Sequence, residues 1–150
     1  MSQSISPDTR HLVASMETLG LVLTFLTRSK PFSEFPAATL VAAVQHQLSE
    51  RNHLCLISDG RLAGYLGWVP VTHRIAQAWM ENQGPLDIAP RQHAEALALT
   101  ILSSLSTKGT RALIAAARNL NPGRRIYFRR ENQDGVVRKA NVLNVRRGAR

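Results

Sequence analysis

Residues 54–68, reading Leu-Cys-Leu-Ile-Ser-Asp-Gly-Arg-Leu-Ala-Gly-Tyr-Leu-Gly-Trp, constrain the fold more than any other stretch. A β-rich run breaks at Asp59-Gly60 and resumes as a second run that ends in an aromatic residue. Asp-Gly tolerates the positive φ angles of a tight type I′ turn, so the segment is predicted to be a two-stranded hairpin. Two helical patterns precede it and a third follows Trp68. A proline-started helix and a final strand region come after that. This order of elements belongs to an α+β sheet domain.

The helical patterns are legible from spacing and caps. Ser6-Pro7-Asp8 is a helix start, with Leu12, Val13, Met16, Leu19, Leu23 and Leu26 on one face. Lys30-Pro31 forces an extended backbone and makes residues 28–35 a loop. A second helix follows from Pro36, with Leu40, Val41, Val44 and Leu48 as its stripe. Thr72 caps a short helix that turns Ile75, Trp79 and Met80 inward. Residues 82–85 form a turn cluster. Leu86–Pro90 reads as a very short strand running into a helix whose buried stripe is Ala94, Leu97, Ile101 and Leu105. Lys108-Gly109 would end that helix. Arg111–Arg118 reads as a buried strand, although its three alanines keep a helix open. Asn121-Pro122-Gly123 is a turn, and strands follow at Arg124–Arg130 and Val136–Leu143.

The 150 residues fit a single domain, 1–150, able to bury its apolar surface without disulfides or metals. The one cysteine, Cys55, sits in an apolar alternation and reads as an inert buried side chain, which suits a reducing cytoplasm. The longest apolar stretch, Leu19–Leu26, is far shorter than the roughly 20 residues that span a bilayer. No membrane span or signal peptide is expected. Charge is uneven. Residues 1–110 carry eight basic and eight acidic side chains, whereas residues 111–150 carry eleven basic and two acidic ones, which accounts for the whole net charge of +9. Such a field attracts polyanions or acidic proteins. Arg124, Arg125, Arg129, Arg130, Arg138, Arg146 and Arg147 are the docking candidates. Nucleic-acid phosphate would also suit them, with Tyr127 stacking on a base, but the chain lacks a recognisable nucleic-acid-binding motif.

Leu19-Gly20-Leu21, the loop Ser-Lys-Pro-Phe-Ser-Glu-Phe-Pro at 29–36, the amphipathic second helix and the hairpin ending Gly64-Tyr65-Leu66-Gly67-Trp68 together resemble the toxin-activating lysine acyltransferases of RTX toxins. The likeness runs from Leu19 to Met80, and Ile88-Ala89-Pro90 is similar to that family's second motif. The resemblance implies a GNAT-like fold, with a mixed, mostly antiparallel sheet flanked by helices. It implies a cytoplasmic enzyme with no resident cofactor. Such an enzyme moves a fatty acyl group from the phosphopantetheine thioester of acyl carrier protein to lysine ε-amines of a protoxin, often as a homodimer. The position matching the family's catalytic histidine is Phe32, and the one matching its aspartate is His93.

Acyl transfer to lysine needs a base for the ammonium proton, donors for the oxyanion and a groove for the thioester. His93 is the candidate base, since an imidazole titrates near neutral pH, and Asp87 is a second candidate. Arg91-Gln92-His93-Ala94-Glu95-Ala96 has the outline of a degenerate GNAT phosphate loop, so Arg91 is a candidate donor-binding residue; Glu95 itself reads as a partner of the helix dipole. Tyr65 and Trp68 are candidates for lining an acyl groove, or alternatively plain core. His11, His46, His53 and His73 show no metal-ligand spacing. Two further readings stay open: a catalytically inactive binding protein of the same fold, and a basic nucleic-acid-binding module.

Overall fold

The Asp59-Gly60 turn joins β2 (His53–Ser58) to β3 (Arg61–Val71) in antiparallel register, with Cys55 opposite Tyr65 and Ser58 opposite Arg61. Asp59 has φ 51° and Gly60 φ 72°, the two positive angles that a type I′ turn requires. The computed structural model describes residues 8–131 and 137–144. Its other elements are β1 (Asp8–Arg10), α1 (Met16–Leu26), α2 (Ala37–Glu50), α3 (His73–Met80), β4 (Ala96–Ser104), α4 (Thr107–Leu120), β5 (Arg125–Glu131) and β6 (Val137–Asn144). The six strands form one mixed sheet in chain order. β1–β2, β2–β3 and β5–β6 pair antiparallel, and β4 pairs parallel to β5. The fold is α+β, as the order of elements predicts.

The chain divides into two compact units. The first comprises Met1–Gly67 with Ile101–Ala117, and the second Trp68–Thr100 with Arg118–Arg150. In the first, α1 contributes Leu19, Val22, Phe25 and Leu26, and α2 contributes Leu40, Val44 and Leu48. They pack on Cys55, Tyr65 and Ile101 of the strands, with Phe32 joining from a 3₁₀ turn. Burying a side chain of this size stabilises the fold by about 1.5–3 kcal/mol. In the second unit Ala76 and Trp79 of α3 pack on Val69, Val71, Ala96, Ala98 and Tyr127. Thr72 caps α3 as expected, its Oγ1 accepting from the Ile75 amide at 3.2 Å.

Several expectations are corrected, among them the short strand at Leu86–Pro90, which is irregular. Asp8 does not start a helix: Asp8–Arg10 pair with Ile57–Cys55 instead, covering the outer edge of β2. The helix begins seven residues later, where the Ser15 hydroxyl accepts from the Thr18 amide at 3.0 Å, and Val13 and Met16 are left exposed. The helix expected from Pro90 is a 3₁₀ turn at Arg91–His93 followed by β4. Ala96, Leu97, Ala98 and Leu99 are all buried. A strand covered on both faces reads as a continuous apolar run, and its leucines fell at helical spacing by coincidence. The segment Arg111–Arg118, read as a strand, lies inside α4, where Gly109, Leu113 and Ala117 recur every four residues on the buried side.

Gly109 is therefore no helix stop but sits in the first turn of α4. Its φ is not positive; the missing side chain is needed for space, because a Cβ there would come within 2.7 Å of Leu56 Cδ2. The same holds at Gly64, where a Cβ would lie 2.9 Å from Leu113 Cδ1. Two glycines thus let α4 lie down on the hairpin. That contact fixes where the helix begins relative to the end of β4.

Candidate functional site

The junction between β4 and α4 is built from short polar side chains. The Ser106 hydroxyl accepts from the Gly109 amide at 3.0 Å, and the Ser106 carbonyl accepts the first helical bond, from Thr110 N at 3.0 Å. Ser104 buttresses the turn, its hydroxyl donating to Ser106 O at 3.1 Å. Ser106 is thus the N-cap, and the amides of Thr107 and Lys108 belong to the set a helix cannot satisfy internally. A cavity of about 1090 Å³ opens here. Leu21, Phe25, Leu56 and Leu62 supply apolar wall, while Arg28, Arg61 and Lys108 bring three cations against one anion, Asp59. Apolar walls combined with helix-start amides and three cations suit a ligand that joins an apolar chain to an anionic group. Lys108, expected at the end of a helix, stands in the first turn of one, so local sequence signals do not reveal this junction.

A second polar group lies in the other unit. His73 is the first residue of α3, and its Nδ1 is 2.9 Å from the Tyr127 hydroxyl on β5. Glu95, just before β4, accepts from the His73 amide at 3.3 Å, and the same carboxylate oxygen lies 3.8 Å from His73 Nε2. Tyr127 is only 2 % exposed, whereas the His73 and Glu95 side chains are 45 % and 58 % exposed. Tyr127 stands opposite Ala98 in the parallel ladder that joins Ala96–Ala98 to Arg125–Tyr127. These residues are 22 and 54 positions from His73 in the chain. No spacing rule reaches that far, although strand alternation puts Arg125, Tyr127 and Arg129 on one face of β5.

A third group, around His53, is structural. His53 is fully buried; its Nδ1–H donates to Gln47 O at 3.1 Å and its Nε2 accepts from Leu12 N at 3.0 Å. Both ring nitrogens are used by the neutral imidazole, and burial, opposed by these bonds, drives its pKa down to about 4. The Tyr65 hydroxyl donates to Gln47 Oε1 at 2.8 Å, completing the network that ties α2 to the hairpin. Cys55 is buried beside it, and burial pushes its thiol up to about 12. An inert cysteine was the expectation, and this environment fits it.

The candidates named from sequence are scattered. His93 is exposed in the 3₁₀ turn, its amide donating to Pro90 O at 2.8 Å. Asp87 is exposed in an irregular segment. Among the described residues no contact joins the two. Arg91 is in the same turn as His93, and its side chain lies outside the described residues. Tyr65 and Trp68 are buried, Tyr65 within the α1–α2 core. Arg124 is half-buried and Arg125 exposed. Arg129 is committed: it donates to Trp79 O at 2.8 Å and lies 4.6 Å from the centre of that ring, a cation–π contact. Arg130 is in β5, and its side chain, with that of Arg138 and with Arg146 and Arg147 entirely, falls outside the described residues. Among the described residues no three His, Cys, Asp or Glu converge as metal ligands, and no helix is long and apolar enough to cross a membrane.

No family model matches the sequence, and neither does any curated protein. Solved structures do share its fold. A GNAT-like decarboxylase, GphF, in complex with isobutyryl-CoA superposes with a TM-score of 0.63 at 18% identity, covering 84% of this chain and 67% of its own. The loading GNATL domain of CurA from Lyngbya majuscula gives 0.56 at 9% identity, over 86% and 67%. The polyamine N-acetyltransferase of Drosophila melanogaster, which forms N-acetylagmatine, gives 0.53 at 11% identity, over 85% and 77%. The fold is GNAT-like.

Proposed function

We propose that this protein is an acyltransferase that takes an acyl group from a phosphopantetheine thioester, carried on acyl carrier protein, and passes it to lysine ε-amines of a protein substrate. The observation that carries this reading is the β4–α4 junction. A serine-capped helix N-terminus with unsatisfied amides opens beside Lys108, Arg61 and Arg28 into a cavity with apolar walls. A pantetheine thioester has a matching chemistry: a phosphate at one end, an amide-bearing arm, and an apolar acyl chain. Helix N-termini hold phosphate through backbone N–H groups and the helix dipole, and neighbouring cations add charge-assisted bonds. Related solved structures support a thioester donor, since one was captured with isobutyryl-CoA.

The finer terms have their own support. Carrier protein as donor fits the basic last quarter of the chain, where Arg125 is exposed and Arg124 partly so, because an acidic carrier is steered by such a field. Lysine of an RTX-type protoxin as acceptor follows the likeness over Leu19–Met80. The protein is incubated with a lysine-rich acceptor protein and either long-chain acyl carrier protein or the matching acyl-CoA, and the acceptor is read by mass spectrometry. An acyl mass on lysine, formed faster from the carrier-bound donor, is the expected result. Equal rates from both donors would remove the carrier protein from the reading, and no transfer from either would overturn it.

A further inference from the structure

We infer that the mouth of the cavity at the β4–α4 junction is the surface on which the acyl carrier protein docks. Arg28 and Arg61 meet acidic side chains of the carrier there, and Leu105 meets an apolar one; the inference rests on the acyltransferase reading. Every residue concerned belongs to the first unit. Arg28 lies just past α1, Asp59 and Arg61 are on the hairpin, and Leu105 and Lys108 stand on either side of the α4 N-cap.

Elsewhere in this unit cations pair with acids: Arg10 binds Asp8, and Lys30 holds Glu34 at 3.0 Å. Arg28, Arg61 and Lys108 form no ion pair among the described residues, although all three are exposed and line one cavity. Three cations against the one acid in that lining, Asp59, leave a formal charge of +2 at the mouth. Such a cluster is complementary to an anionic partner and repels a cationic one.

The leucines of the same lining lack a role inside the fold. Leu105 is 75 % exposed and Leu21 50 % exposed. Leu105 directly precedes the N-cap Ser106, where an apolar side chain ordinarily staples onto the residue four places after the cap. That place holds Thr110, which offers little apolar surface. The backbone of Leu105 is nonetheless fixed, its amide donating to Ala63 O at 3.0 Å. Exposed leucines beside unpaired arginines have the make-up of a protein interface, where apolar contacts are bordered by polar ones and arginine is favoured.

A pantetheine arm is tied to its carrier by a phosphodiester to one serine. With that phosphate at the first turn of α4, the carrier's surface begins one ester bond away and has to cover the mouth. Other occupants fit less well. A phosphate backbone offers no counterpart to Leu21 and Leu105, and a second copy of this chain, joined through the same patch, would set +2 against +2. The arginines of the last quarter contribute long-range steering, and the contact itself falls on this mouth.

The test measures, by titration calorimetry, the binding of acyl carrier protein that lacks its phosphopantetheine arm, so that only surface contacts count. The unaltered protein is expected to bind it with an affinity that falls as salt rises. Arg28→Gln combined with Arg61→Gln should weaken binding about tenfold or more, and Leu105→Ser about fivefold. Asp59→Asn should tighten it about threefold, because the one acid is removed while Asn-Gly keeps the type I′ turn. Arg74→Glu, a larger change of charge at an exposed site outside the cavity lining, should alter it by less than about twofold. A gain in affinity cannot come from misfolding, so Asp59→Asn decides if the arginine variant melts early. Carrier binding that ignores the Arg28, Arg61, Leu105 and Asp59 variants overturns the inference. So does failure of the armless carrier to bind while an acyl-pantetheine phosphate analogue binds; the acyltransferase reading survives both results. Self-association of the protein that Leu105→Ser abolishes would make the mouth a contact between copies, which also overturns it. If neither carrier nor analogue binds, the acyltransferase reading falls as well.

Discussion

Protonating His53 should loosen the fold, and the size of the effect follows from its surroundings. The ring is fully buried, its Nε2 accepts from Leu12 N and its Nδ1–H is committed to Gln47 O. A second proton would displace the Leu12 bond and place a charge in the core. The folded pKa is depressed to about 4 from an ordinary value of 6.5. Below that ordinary value the unfolded chain binds a proton that the folded chain refuses, so stability falls as pH drops through the window and levels off below the folded pKa. Between about pH 7 and about pH 4.5 this single group removes roughly 2–3 kcal/mol, from ~1.4 kcal/mol per pKa unit. Neighbouring His11, whose pKa is lowered by burial and by Arg51, adds loss in the same direction. Urea denaturation is measured at both pH values for the unaltered protein and for His53→Gln, which offers a donor and an acceptor but takes no charge. The variant should start less stable and lose about 2–3 kcal/mol less on acidification. Parallel losses in the two proteins would refute the reasoning.

Gly67→Ala should cost about 1–3 kcal/mol in urea denaturation, because the new Cβ would run into the Gln47 carboxamide that holds Tyr65. Cys55 should resist a thiol reagent at about pH 8 in the folded protein and react at once in denaturant, since burial keeps the thiol protonated; rapid modification of the folded form would contradict the core packing. Lys108→Ala should raise the donor KM by about tenfold without lowering the melting temperature, as expected for losing one charge-assisted bond at an exposed position.

How much of this was legible in the residues depends on the range of the interaction. Turn chemistry and caps act over two to four positions, so Asp59-Gly60, Thr72 and the α2 stripe were read correctly. Where two local signals competed, tertiary pairing decided. Both Asp8 and Ser15 are acceptable helix caps, and the edge of β2 claimed Asp8–Arg10 for a strand. The interchange of β4 and α4 has two causes: a strand buried on both faces loses its alternation, and a helix whose buried side is Gly109, Leu113 and Ala117 shows little apolar stripe. That error propagated to the site. Lys108 and Gly109 looked like a helix end when they form a beginning, and His93 was put on a helix that does not exist. The partners of His73 were beyond reach for a different reason, since Glu95 and Tyr127 meet it only through the sheet. The α+β class, by contrast, followed from the order of whole segments, which survives local misreading, and the GNAT-like fold was what the family resemblance implied.

The central claim, that the first turn of α4 receives the anionic end of a pantetheine thioester, is tested most directly by amide hydrogen exchange. Residues 104–110 are followed with and without a non-hydrolysable acyl-pantetheine phosphate analogue. The account predicts marked slowing at Thr107 and Lys108, whose amides lack helical acceptors. Unchanged exchange across that turn at saturating analogue, with protection appearing elsewhere or nowhere, would contradict it.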